Sequence, residues 1–109
     1  MGVTKTALYS QEQNTVAEIA KAIGHPARVA ILQYLIKTNS CITGSIVREL
    51  GLAQATISQH LKELKQLGLI QGTIQGSAVC YCINAEKWNE VRDVLGGFIS
   101  SVCHHSECC

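Results

Sequence analysis

The segment from Val47 to Ile83, VRELGLAQATISQHLKELKQLGLIQGTIQGSAVCYCI, constrains the chain more than any other, because it prescribes both the order and the spacing of its elements. Glycine adopts left-handed backbone at no steric cost, so Gly51 after Leu50 is expected to end one helix, and a second periodic run starts within about three residues. A turn that short makes two helices cross steeply. In the second run Ile57, Leu61, Leu64 and Leu67 recur at spacings of four and three and form an apolar stripe, with Gln54, Thr56, Ser58, Gln59 and Lys62 off it. One face is expected to bury while the other offers amides, hydroxyls and an ammonium to a partner. Such side chains hydrogen-bond base edges and phosphates, and an α-helix fits the major groove of double-stranded DNA. A solvated polar face on an ordinary core helix has the same pattern, so the residues that follow must separate the two.

After Gly68, which can cap the helix, Leu69 to Gln75 and Ala78 to Ile83 read as two strands joined at a Gly76-Ser77 turn. Alternation puts Val79, Tyr81 and Ile83 on one face and Cys80 and Cys82 on the other. The expected fold is mainly α with a small β-hairpin, a winged helix-turn-helix whose hairpin projects beside the recognition helix.

Three groups of residues resemble the ArsR/SmtB family of bacterial metal-responsive repressors. They are Gly24-His25-Pro26-Ala27-Arg28-Val29-Ala30-Ile31-Leu32, then Thr56-Ile57-Ser58-Gln59-His60-Leu61 with Leu64 and Leu67-Gly68-Leu69-Ile70, and lastly Tyr81. The similarity runs from Ala17 to Trp88. It implies a homodimer that binds operator DNA and releases it when a metal or metalloid binds. His60 stands where the family also has histidine, and orientation of that helix or a phosphate contact is its implied role. Ala53 departs from the pattern, since the family usually has serine or another N-cap there, and losing such a cap typically costs ~1 kcal/mol.

At 109 residues the sequence is expected to form one domain, 1–109, and because a chain this short buries a limited fraction of its surface, help from a dimer interface is expected. With 47% hydrophobic and 16% charged residues it has a globular composition, and its apolar runs are too short to span a bilayer. The N-terminal MGVTKTALYSQEQNT lacks an apolar core followed by a small-residue cleavage site, so a cytoplasmic location away from membranes is expected. A net charge of +1 does not advertise strong nonspecific attraction to nucleic acid. Local basicity is assigned to Arg28, Arg48, Lys62 and Lys65, doubled in a dimer.

Elsewhere, Val16, Ile19, Ala20 and Ile23 predict a helix over Thr15 to Ile23, closed by Gly24. Pro26 opens the next helix where a missing amide hydrogen costs nothing, and His25 caps or packs at its start. This second helix, to about Lys37, is apolar almost all round and is expected at the centre of the core. Thr43 can cap a helix over Gly44 to Leu50. Asn84 is a favourable N-cap for a last helix to about Val102. There Trp88, Val91, Leu95, Phe98 and Val102, spaced three, four, three and four, form a seam suited to another helix or to its own domain. In the family the first and last helices build the dimer interface. Gly96-Gly97 implies a close helix approach or a bend at that point.

Six cysteines remain, Cys41, Cys80, Cys82, Cys103, Cys108 and Cys109, three of them in the terminal seven residues, CHHSECC. Thiols in a reducing cytoplasm are not expected to form structural disulfides. As polarizable thiolates they select soft ions. Trivalent arsenic or antimony takes three sulfur ligands in a pyramid with a lone pair at the apex, and the C-x4-C-C tail, 103–109, supplies three. Binding releases thiol protons, so affinity rises with pH. Arsenite or antimonite on Cys103, Cys108 and Cys109 is therefore the expected effector. Zinc or cadmium, using His104 and His105 as well, is the alternative, with redox sensing or no sensing by the tail behind it. Many arsenic-responsive family members carry Cys-x-Cys in the helix that corresponds to Gly44 to Leu50, and here it is absent. The zinc sites of the family's last helix are echoed by Asp93, His104 and Glu107, but Val91 at the remaining position cannot ligate. Cys80 and Cys82 are read as small residues on a wing face, with metal binding the lesser alternative, and Cys41 as structural, with a link to the partner's tail the lesser alternative.

Enzyme chemistry is rejected. Cys41 and Arg48 are separated by six residues where a phosphate-binding loop of the arsenate-reductase type needs five, and its glycine-rich cradle is missing. No nucleophile elbow or Walker-type loop occurs. A metal-storage protein would leave the helix-turn-helix unexplained, and a constitutive DNA-binding protein would leave the cysteines idle.

Overall fold

The computed structural model describes residues 6–38, 50–75 and 78–102. A short 3-10 turn at Thr6–Leu8 leads into α1, Gln11–Ile23. This helix starts four residues before the periodic apolar residues predict, because Ser10 and Gln13 form a capping box: the Gln13 N–H donates to Ser10 Oγ at 3.1 Å and the Ser10 N–H donates to Gln13 Oε1 at 3.0 Å. Helix α2, Pro26–Thr38, begins as expected at Pro26. His25 caps it, its Nδ1 accepting from the Ala27 N–H at 3.0 Å. The helix is central through Ile31, Leu32 and Leu35, all buried, but its remaining apolar positions do not all follow, since Val29 and Ile36 are exposed.

Gly51 has φ 67 and Gly68 has φ 81, so both carry the left-handed backbone that the sequence reserves for them. Between them lies the recognition helix α3, Gln54–Gln66. Its end is a Schellman motif: the Gly68 N–H donates to the Lys65 carbonyl at 3.0 Å and the Leu69 N–H to the Leu64 carbonyl at 3.1 Å. Ile57, Leu61 and Leu64 are buried as predicted. Leu67 is not part of that stripe, because the cap turns it out of the helix and leaves it exposed. The apolar contact passes instead to Leu69, which is buried beside Ile70.

The hairpin consists of β1, Ile70–Gln75, and antiparallel β2, Ala78–Ile83, paired in register from Ile70 opposite Ile83 to Gln75 opposite Ala78. Gly76 and Ser77 lie outside the described residues. Tyr81 and Ile83 rest half-buried against the core, and Cys80 is buried. The Asn84 N–H donates to the Leu69 carbonyl at 3.0 Å, which ties the hairpin's exit to its beginning. Helix α4, Ala85–Ser100, starts at Asn84, whose Oδ1 accepts from the Lys87 N–H at 3.3 Å.

The α4 seam divides in two. Val91 is buried and Trp88 and Leu95 pack half-buried on the chain's own core, whereas Phe98 and Val102 are exposed. The helix continues through Gly96 and Gly97, and a side chain at either would meet nothing within 4 Å. Among the described residues, nothing therefore packs directly against these two glycines. Among the described residues, no helix is long and apolar enough to cross a membrane. The predicted helix over Gly44 to Leu50 lies outside the described residues except for Leu50, as do Cys41, Arg48 and the tail 103–109.

Candidate nucleic-acid interface

Burial of Ile57, Leu61 and Leu64 fixes which way α3 faces, and the polar positions are presented as the periodicity requires. Gln54, Thr56, Ser58, Gln59 and Lys62 are all exposed, and His60 is half-buried at the edge of the stripe. This arrangement offers amide, hydroxyl, imidazole and ammonium groups along one helix, held from behind by the core.

The face is tied to two other helices through Arg28 on the first turn of α2. Its Nε–H donates to His60 Nδ1 at 3.1 Å, and Nη1 donates to the Ala22 carbonyl at 3.0 Å. Nη2 forms a salt bridge with Glu63 Oε2, and the Arg28 side chain is only 15% exposed. Ala22 is in the last turn of α1, so one guanidinium satisfies an orphan carbonyl at that helix end and also clamps α3. Glu63 in turn accepts at Oε1 from Gln59 Nε2 at 3.2 Å. The His25 ring lies 4.6 Å from the His60 ring, tilted by 56°. Burial, then His25 and the Arg28 cation, holds the His60 pKa below the ordinary imidazole value.

One residue counted as free basicity, Arg28, is otherwise engaged. Arg28 is neutralised by Glu63 and lies behind the face. Lys65 leans onto the hairpin, where its Nζ and the Tyr81 ring line the space over Gly72. Lys62 remains exposed on α3. Glu63 was not singled out from the sequence; the signal for it was its spacing of four from Gln59, which puts both on one helix row.

The thiols fare differently. Cys80 is buried and Cys82 half-buried on β2. Among the described residues, no group of three or more His, Cys, Asp or Glu side chains is placed to hold a metal ion. Cys103, Cys108, Cys109, His104 and His105 lie outside the described residues.

The fold and the outward face of α3 define a winged helix-turn-helix protein. Residues 25–71 match the family described as bacterial regulatory protein, arsR family. The chain is 35% identical over 81 residues to the HTH-type transcriptional regulator MJ1325 of Methanocaldococcus jannaschii, across 74% of this chain and 91% of that one. It is 34% identical over 68 residues to the HTH-type transcriptional repressor SmtB of Mycobacterium tuberculosis, across 62% and 50%. The crystal structure of Rv0081 from M. tuberculosis superimposes with a TM-score of 0.64 at 28% identity, covering 84% of this chain and 96% of that one. The chain belongs to the ArsR family of DNA-binding transcriptional regulators. Its relatives are regulators and not enzymes.

Proposed function

We propose that this protein is a homodimeric, metalloid-responsive repressor, which holds operator DNA through the exposed face of α3 and releases it when arsenite or antimonite binds Cys103, Cys108 and Cys109. The observation that carries this reading is the junction of α4 with the tail. Helix α4 ends at Ser100 with Phe98, Ile99 and Val102 59%, 67% and 63% exposed, immediately before Cys103. An apolar helix end so exposed suits a second copy of the chain, and an ion gathered by the adjoining thiols acts directly on it. Dimerisation and the sensing of metal ions are typical of the family, and one relative is a repressor by name.

The donor set fits the ion. Three thiolates match a soft trivalent metalloid, and the buried Cys80 is poorly exposed to one. Release requires the ion to bind one dimer geometry more tightly than the other, since equal affinity for both shifts nothing. Ligation next to the interface supplies that difference by reorienting the two halves, which moves paired recognition helices out of register with half-sites about 34 Å apart or a multiple of it. Zinc or cadmium is the second reading, because His104 and His105 lie among the same thiols and imidazole with thiolate suits tetrahedral zinc.

The test is fluorescence anisotropy of the reduced protein on its own promoter DNA at one salt concentration, with arsenite, antimonite, zinc and cadmium titrated in parallel. Release by arsenite or antimonite but not zinc is the expected result. A Cys103→Ser, Cys108→Ser, Cys109→Ser triple variant should bind DNA normally and stay bound in arsenite. Normal release from that variant would remove the tail from the mechanism.

A further inference from the structure

The reading face of α3 is not free to choose its own hydrogen-bonding pattern. Because Arg28 Nε–H donates to His60 Nδ1, that nitrogen carries no proton, and a neutral imidazole must then keep its proton on Nε2. The His25 ring confines the imidazole from beside it, and His25 Nδ1 is itself occupied by the Ala27 N–H. Gln59 is fixed by the same cation at one remove. Glu63, gripped at Oε2 by Arg28, accepts at Oε1 from Gln59 Nε2, which sets which end of the amide is nitrogen and which is oxygen. One Gln59 N–H is committed by this bond. The second N–H and the carbonyl oxygen remain, and they are the donor and acceptor pair that an amide presents to N7 and N6 of adenine in the major groove.

We propose that Arg28 and Glu63 are positioning residues for sequence recognition: Arg28 fixes His60 as an Nε2–H donor and, through Glu63, fixes the direction of the Gln59 amide, so that the face selects adenine opposite Gln59. This rests on the assignment of the α3 face to DNA reading. Lysine cannot replace Arg28, because an ammonium is a point charge and the three acceptors, on α1 and at two positions of α3, are met by a planar fork.

The test uses the purified chain, a duplex enriched from a random-sequence pool by the unsubstituted protein, and a shuffled duplex of the same composition at the same salt. Arg28→Lys and Glu63→Ala should each lower the preference for the enriched over the shuffled duplex roughly tenfold, as losing one bidentate base contact does, with shuffled-duplex affinity unchanged in the charge-conserving Arg28→Lys. Glu63→Ala added to Gln59→Ala should lower it no further, because the two residues act as one unit. In nitrogen NMR of the imidazoles without DNA, the unsubstituted protein should show His60 as the Nε2–H tautomer and Arg28→Lys a mixture. Unchanged preference in both variants, additive losses in the double variant, or the same single tautomer in Arg28→Lys would each overturn the positioning role. An unsubstituted protein that enriches no sequence would overturn the DNA-reading face itself and this inference with it, and the NMR comparison separates the two failures.

Discussion

At the scale of single residues, the chain concentrates its polar chemistry where α1, α2 and α3 meet. Arg28 touches all three helices, and the His60 ring that it bonds has a pKa below the ordinary imidazole value. The folded ring takes up a proton less readily than the unfolded one, since burial penalises its charged form and His25 and Arg28, facing it from the start of α2, add to that effect. Stability from a neutral His60 is therefore complete above the ordinary histidine value of about 6.5 and is lost as pH falls through the lowered folded value. Urea unfolding at about pH 7.5 and about pH 5 should show this loss. His60→Gln, whose amide oxygen can accept from Arg28, should lose less; an equal loss would mean that another group titrates.

At the scale of elements, the helices are not equally well begun. Ser10 caps α1 and Asn84 caps α4, but α3 starts at Ala53, with φ −61 and ψ 143 and no side-chain cap bond. The backbone already has the extended geometry of an N-cap, so only the side-chain acceptor is missing. Ala53→Ser should raise stability by about 1 kcal/mol, seen as a higher urea midpoint at unchanged slope. An unmoved midpoint would show that solvent already satisfies the first amides of α3. The other end of the helix was legible because Gly68 is the one residue type that takes φ 81 without strain. The side-chain consequence was not, since a Schellman cap swings Leu67 outward and moves the apolar contact to Leu69.

At the scale of the whole molecule, the described chain leaves large apolar residues exposed near its two ends in sequence, Leu8 and Tyr9 before α1 and Phe98, Ile99 and Val102 at the end of α4. Helices α1 and α4 pack on each other, and Phe98 lines a cleft with Val16 and Ala17. For the homodimer proposed above, a Phe98→Ser, Val102→Ser double variant should sediment as a monomer with its helical circular dichroism intact, because both side chains are exposed in the single chain. It should also lose tight binding to a two-half-site duplex, which needs two recognition helices. A variant that remains dimeric would move the interface elsewhere, with the exposed Val29 and Ile36 of α2 next to be substituted.

Periodicity and punctuation determined the local architecture. Gly51 and Gly68 bracket α3, Pro26 opens α2, Asn84 opens α4, and alternation with a two-residue gap defines the hairpin, because each depends on backbone sterics or on a cap only a few residues away. The exposed polar face of α3 followed from the same local repeat. Tertiary structure alone decided where the long side chains went. Arg28 and Lys65 looked alike as free cations, but one is a half-buried clamp paired with Glu63 and the other stays exposed with its Nζ beside the hairpin. The α4 seam looked uniform, but only its first half meets the chain's own core. These outcomes depend on which elements face each other across the fold, and no pattern within one segment encodes the distance from Arg28 to a histidine thirty-two residues away.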